Sequence, residues 1–247
     1  MWREVRRKRR TQVRHQNVKR KGRGTTEAAN RAAQVSAWSL LVETYAGLAE
    51  CGAHLFGDLL NGQMPKQWRH YPEDDAIDQR NGFHWFYHSH SPEDRQGAAE
   101  HGHIHLFARR KLWAHRLRSA REMEFANLKG EPAPAENTRH LLTIGFDAKG
   151  IPATMATVNS WVTGDRMLSA GLTAELLSGL KLDTGHAAAD AVIESLVAMH
   201  SGEICELLDQ RDKTLFGWRV DDVLSDQRLE ILSEIRIDVD KKLRRSV

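Results

Sequence analysis

The sequence predicts an α+β fold, a central antiparallel sheet of about four strands in two hairpins, flanked by N- and C-terminal helices. Three observations predict it. Apolar residues near both ends recur at three-four spacing, the period of an amphipathic helix. Two stretches in the middle alternate instead with a period of two, as half-buried strands do. Six of the thirteen histidines fall inside the first of those stretches, between His84 and His105, at even spacing.

The N-terminal helix is read from Val35, Trp38, Leu41, Val42, Tyr45, Leu48, Leu55, Phe56 and Leu59, and Asn61-Gly62 ends it. Residues 63–81 read as irregular, with Pro65, Pro72 and the acids Glu73, Asp74, Asp75 and Asp78, which suit a solvated loop. Residues 82–108 form the histidine-rich hairpin, joined by a long polar loop from Ser91 to Glu100. A basic helix is expected over 109–128. The second hairpin pairs His140–Phe146 with Ile151–Thr163 around Asp147-Ala148-Lys149-Gly150, where glycine supplies positive φ. The remainder reads as helical, over 168–180, 187–200, 201–212 and 222–243.

Composition narrows the function classes. The net charge of +3 divides unevenly, because residues 1–24 hold eleven Lys/Arg and one acid (+10), which leaves −7 for residues 25–247. The basic stretch is too polar to pack and is expected to be a disordered tail before a single domain over 25–247. It suits a nucleic-acid-binding arm, an organelle-targeting segment, a solvated tail, or a start codon assigned too far upstream. With no base-stacking aromatic after Trp2, any nucleic-acid binding would be phosphate-driven and salt-sensitive. No hydrophobic segment follows it, so a secretory signal is not expected. No apolar run approaches the roughly 20 residues of a membrane helix. Cys51 and Cys205 offer neither a disulfide framework nor a CxxC zinc site and read as buried thiols in a reducing cytoplasm.

The chemistry is carried by the first hairpin. If both segments are extended, His84, His88, His90, His101, His103 and His105 share one face, and Trp85, Tyr87, Ile104 and Leu106 the other. Opposed side chains on paired strands start about 5 Å apart, so two His-x-His runs can converge on one ion. The expected metal ligands are His88, His90, His103 and His105, with Glu93 or Glu100 as general base and His101 as a further catalytic group. Donors without thiolate favour a divalent transition metal such as Fe, Zn, Cu or Mn. His84, Arg109 and Asn159 are the expected contacts to a small-molecule substrate, and Arg110 and Lys111 extend the basic patch. His54, His70, His186 and His200 stand alone and read as structural. Water activation and oxidative chemistry are both compatible with this set. Aromatic residues Trp85, Phe86 and Tyr87 beside the site incline the reading to the oxidative kind.

Two short motifs resemble known families. Glu100-His101-Gly102-His103-Ile104-His105-Leu106-Phe107 resembles the His-x-His-x-His motif of the histidine-triad nucleotide hydrolases and transferases, which would make His103 a nucleophile on phosphorus with no metal. His88-Ser89-His90, six residues after Gly82, is similar to the His-x-His of cupin metal sites, but neither Glu93 nor Glu100 stands at the cupin glutamate's spacing. Tyr87-His88-Ser89-His90, Glu100–Phe107 and Trp161-Val162-Thr163-Gly164 together resemble an uncharacterised bacterial domain family over about residues 70–170, which implies no function. The readings that remain are a metalloenzyme, a metal-free histidine-triad-like enzyme, and a non-enzymatic metal- or nucleic-acid-associated protein.

Overall fold

A computed structural model describes residues 32–90, 100–130 and 137–246. The basic tail over 1–24 and Glu93 lie outside the described residues. Helix α1 runs through 32–50, and a single turn, α2, covers Gly57–Leu60. The sheet has six antiparallel strands: β1 Tyr71–Ile77, β2 Phe83–Ser89, β3 Gly102–Arg109, β4 Thr138–Phe146, β5 Pro152–Val158 and β6 Ile231–Arg236. Each strand pairs with its neighbour in sequence, so the order across the sheet is β1-β2-β3-β4-β5-β6. Between β3 and β4 lie α3 (Arg110–Trp113) and α4 (Ala120–Ala126). Between β5 and β6 lie α5 (Ser160–Thr163), α6 (Ala170–Ser178), α7 (Ala187–Met199) and α8 (Ser201–Gly217), and α9 (Val239–Ser246) follows β6. Among the described residues no helix is long and apolar enough to cross a membrane.

The α+β class stands, and the strand count rises from four to six. Both added strands are edges. β1 replaces the loop expected over 63–81; its Pro72 and acids are what an edge strand tolerates, since one side needs no partner. β6 replaces the middle of the helix expected over 222–243. Leu229, Leu232, Ile235 and Val239 fit helical spacing, but Ile231, Ser233 and Ile235 also alternate, and the open edge of β5 selects the strand. The basic helix over 109–128 is broken into α3, a 3-10 turn at Ala114–Arg116, and α4, which Ser119 caps by accepting from Glu122 N. Trp161 and Val162, expected to end a strand, sit in α5. Cys51 and Cys205 are exposed rather than buried: Cys51 stands in the turn after α1, and Cys205 takes a solvent-facing position of α8.

The sheet has two unlike faces. Trp85, Tyr87, Ile104, Leu106, Leu142, Ile144 and Met155 turn one way and pack on Leu41 of α1, Leu172 and Leu176 of α6, Val192 and Leu196 of α7, and Leu207 and Leu208 of α8. A polar link crosses this core: Trp85 Nε1 donates to Asp190 Oδ1 of α7 at 2.9 Å. Trp85 and Tyr87 therefore do not crowd the histidines, as expected at first; they belong to the opposite face by the same period-two phase. Of the three aromatics, only Phe86 shares the histidine face, and Phe107 of β3 joins it.

Candidate metal centre

The register of β2 on β3 builds the site. His88 lies directly opposite His103, Phe86 opposite His105, and His84 opposite Phe107. These residues share one phase and therefore one face. His103 Nε2 stands 2.8 Å from His88 Nε2, 3.0 Å from His105 Nε2 and 3.4 Å from His90 Nε2. His88, His103 and His105 are all buried, and their ligand atoms lie within 4.8 Å of one another, a group that could hold a metal ion.

Hydrogen bonds alone cannot account for this hub. An imidazole nitrogen presents either one hydrogen or one lone pair in the ring plane. His103 Nε2 can thus satisfy one of its three neighbours. A cation satisfies all of them at once. Metal–nitrogen bonds of about 2.0–2.1 Å put ligand nitrogens about 2.9 Å apart at right angles and about 3.3 Å apart in a tetrahedron. The observed separations, 2.8–3.4 Å, lie within about 0.1 Å of those values.

The far sides of the rings are held as metal-ligating histidines require. His103 Nδ1 is 3.3 Å from Glu100 Oε1, and Thr154 Oγ1 donates to Glu100 Oε2 at 2.5 Å. Gly145, opposite His103 on β4, leaves the space that this carboxylate fills; a Cβ there would overlap Glu100 Oε2 and Thr154 Oγ1. His105 Nδ1 is 3.1 Å from His140 Nε2, and Thr143 Oγ1 is 3.3 Å from each of those nitrogens. An ion at the hub would take the Nε2 lone pair of His105 and leave its hydrogen on Nδ1, where His140 Nε2 can accept it.

Burial keeps His84, His88, His105 and His140 neutral, the state that binds a metal. Desolvation, then repulsion from His103, His90 and His70, lowers His88 to about 2. Desolvation first and the neighbouring histidines second hold His105 well below its ordinary value. His140 falls to about 3, by desolvation and then by Arg211. His84 falls to about 4, again by desolvation, with Asp75 opposing.

The structure brings together His88, His90, His103, His105 and Glu100. Glu100 lies behind His103, on its Nδ1 side, rather than facing the hub as a general base would. The His101 ring makes no hydrogen-bond or ring contact among the described residues; its backbone joins Phe146 and His90. His84 stacks on Phe107 at 4.6 Å, further along the same face. Arg109 bonds Gln79 Oε1, and Lys111 bonds the carbonyls of Gln79 and Arg80, so both tie down the β1–β2 turn. The Asn159 amide caps Ser160 N and donates to Val223 O, which commits it to holding α5.

Sequence reasoning missed His140, Thr143, Thr154, Trp68 and His70. Thr143 stands three positions after His140, an offset that period two would send to opposite faces. A bulge at Leu141 restores the phase: Leu106 pairs with Leu142 while Phe107 pairs with His140. Trp68 and His70 come from the segment before β1 and cover the face from outside. The Trp68 ring meets His90 edge-on at 4.8 Å, and His70 stacks on Phe86 at 3.6 Å.

A family model described as a domain of unknown function, DUF6969, matches residues 35–237. The chain belongs to this family. The match contains every residue of the imidazole hub and its supports, and it begins after the basic tail. No curated protein and no solved structure matches the chain.

Proposed function

We propose that the chain is a metalloenzyme with one transition-metal ion at the histidine hub, acting on a small molecule. The observation that carries this reading is the convergence of three Nε2 atoms on His103 Nε2, which can hydrogen-bond to one of them where one cation meets them all. His88, His103 and His105 are the proposed permanent ligands. His90, with the longest separation and a position at the end of β2, is the ligand best placed to yield its site to water or substrate. Neutral nitrogen donors without thiolate suit Zn, Fe, Cu or Mn.

The bound ion would supply Lewis acidity for hydrolysis or, as iron or copper, electron transfer for oxidation. The chain's own residues set the rest. Glu100 and Thr154 fix the plane and tautomer of His103, and His140 and Thr143 those of His105. Phe86 and Phe107 keep bulk water from the floor. The histidine-triad reading has less support, because His103 Nε2 is enclosed by other rings where a nucleophile needs an open approach to phosphorus.

Elemental analysis of protein made without a histidine tag tests the metal. One equivalent of a first-row metal is expected, falling below about one tenth in His103→Ala with the fold retained. A metal-free wild type that hydrolyses nucleotides, and loses this in His103→Ala, would replace this reading with the histidine-triad one. Turnover of model esters and phosphoesters, or oxygen uptake, should vanish on chelation and return with one equivalent of ion. Bound metal without any such turnover would leave the non-enzymatic metal-binding reading.

A further inference from the structure

Just outside the hub stands a second polar group that the ligand set does not use. His70 lies flat on Phe86, with ring centroids 3.6 Å apart and planes 9° from parallel. Its Nδ1 is 3.2 Å from Asp75 Oδ1. Its Nε2 has no hydrogen-bond partner among the described residues, and 44% of the side chain is open to solvent. The ring centre lies 6.3 Å from that of His88, so His70 borders the hub. Trp68, 60% exposed, stands beside it, edge-on to His88 and His90.

The backbone that delivers Asp75 is unusual. Tyr71 pairs with Tyr87 and Ala76 with Trp85, so five steps along β1 match two along β2. The surplus is a bulge opposite Phe86, and Asp75 within it holds φ at +55°. Bulges re-aim side chains and gather next to active sites. This one sets a carboxylate between two imidazoles: Oδ1 on His70, and Oδ2 4.0 Å from His84 Nε2, too far for a hydrogen bond. Asp75 accepts the Nδ1 hydrogen of His70. That fixes the tautomer and turns a lone pair outward at Nε2. The rim beside the hub therefore presents acceptors, His70 Nε2 and Asp75 Oδ2, with an exposed indole alongside.

Building on the proposed metal centre, we propose that His70, oriented by Asp75, is a substrate-recognition residue. The substrate class is a small molecule that carries an N–H or O–H donor next to the group that meets the metal. The donor hydrogen-bonds to His70 Nε2, and Asp75 serves as a positioning residue.

Acetohydroxamate and N-methylacetohydroxamate test this on the metal-loaded full chain. Both chelate a metal through two oxygens, and only the first retains an N–H. Calorimetric titration should show acetohydroxamate binding about tenfold more tightly to the wild type, the value of roughly one hydrogen bond. The preference should disappear in His70→Phe, which keeps the stack on Phe86. It should also weaken in Asp75→Asn, which keeps the volume but can no longer hold the tautomer. Metal content should stay at the wild-type level in both variants. An unchanged preference in both variants, or none in the wild type, overturns the assignment of His70. Loss of metal in His70→Phe also overturns it, by making His70 part of the metal's support. A wild type that takes up no metal overturns the metal centre itself, and this inference with it.

Discussion

A methyl group on Gly145 would occupy space already filled by the Glu100 carboxylate and the Thr154 hydroxyl. That carboxylate orients His103, the hub of the site. Gly145→Ala should therefore push Glu100 off His103 Nδ1 and lower metal affinity by about 10–100-fold, the usual cost of losing an outer partner. Competition with a chromophoric chelator reads this directly. Circular dichroism should show the sheet retained, and unaltered affinity would mean that His103 needs no such anchor. At this scale the sequence was half readable. The shared phase of His88, His90, His103 and His105 follows from counting by two. The place of Glu100 behind the ring does not, because it depends on a glycine on the neighbouring strand. His140 was hidden by the Leu141 bulge, which no spacing rule announces.

Each strand of the central hairpin separates two tasks by side-chain phase. Trp85 is fully buried among helix side chains, while His88, three residues on, faces the hub. Trp85→Ala should cost about 3–5 kcal/mol through its cavity. Metal affinity should change little in the fraction that remains folded. His88→Ala should show the reverse, with metal lost and the apo-protein's urea midpoint nearly unchanged. Equal destabilisation by both would mean the faces are not independent. The two hairpins were legible because their faces contrast sharply in polarity. β1 and β6 were not, since an edge strand is half solvated and its pattern is set by whichever neighbour offers a free edge.

Over the whole molecule, the buried histidines tie stability to pH. His84, His88 and His140 are held at about 4, 2 and 3 in the fold, against 6.5 in the free chain, and His105 well below it. In the window below 6.5 the unfolded chain binds these protons and the folded chain does not. Acid therefore favours unfolding, and the stability present above 6.5 is lost progressively as pH falls toward these lower values. Asp165 acts in the opposite sense, because burial raises it to about 6 and its ionisation opposes the fold at neutral pH. One carboxyl stands against four imidazoles, so the histidines decide the sign. Melting temperature measured with chelator present should fall from pH 7 to pH 5; a rise would show that the imidazoles are not held neutral. Without chelator the fall should be steeper, because protons also displace the ion. At pH 7, adding a stoichiometric metal should raise the melting temperature of the apo-protein, as any ligand of the native state does.

The strand order also sets a sequence of events during synthesis. The hub and its supports are complete once Thr154 has emerged, since every pairing they need is between neighbours in the chain. Of the helices that cover the sheet's other face, α1 comes first, and α6, α7 and α8 follow, from Ala170 through Gly217. A nascent chain therefore finishes its imidazole face while Trp85, Ile104 and Leu142 still lack the cover of α6, α7 and α8, a stage at which bare apolar surface invites aggregation. An ion captured then would clamp β2 to β3 before the core exists and act as a folding template. In a metal-starved cell, the first symptom would be lower yield of soluble protein rather than an intact but inactive one.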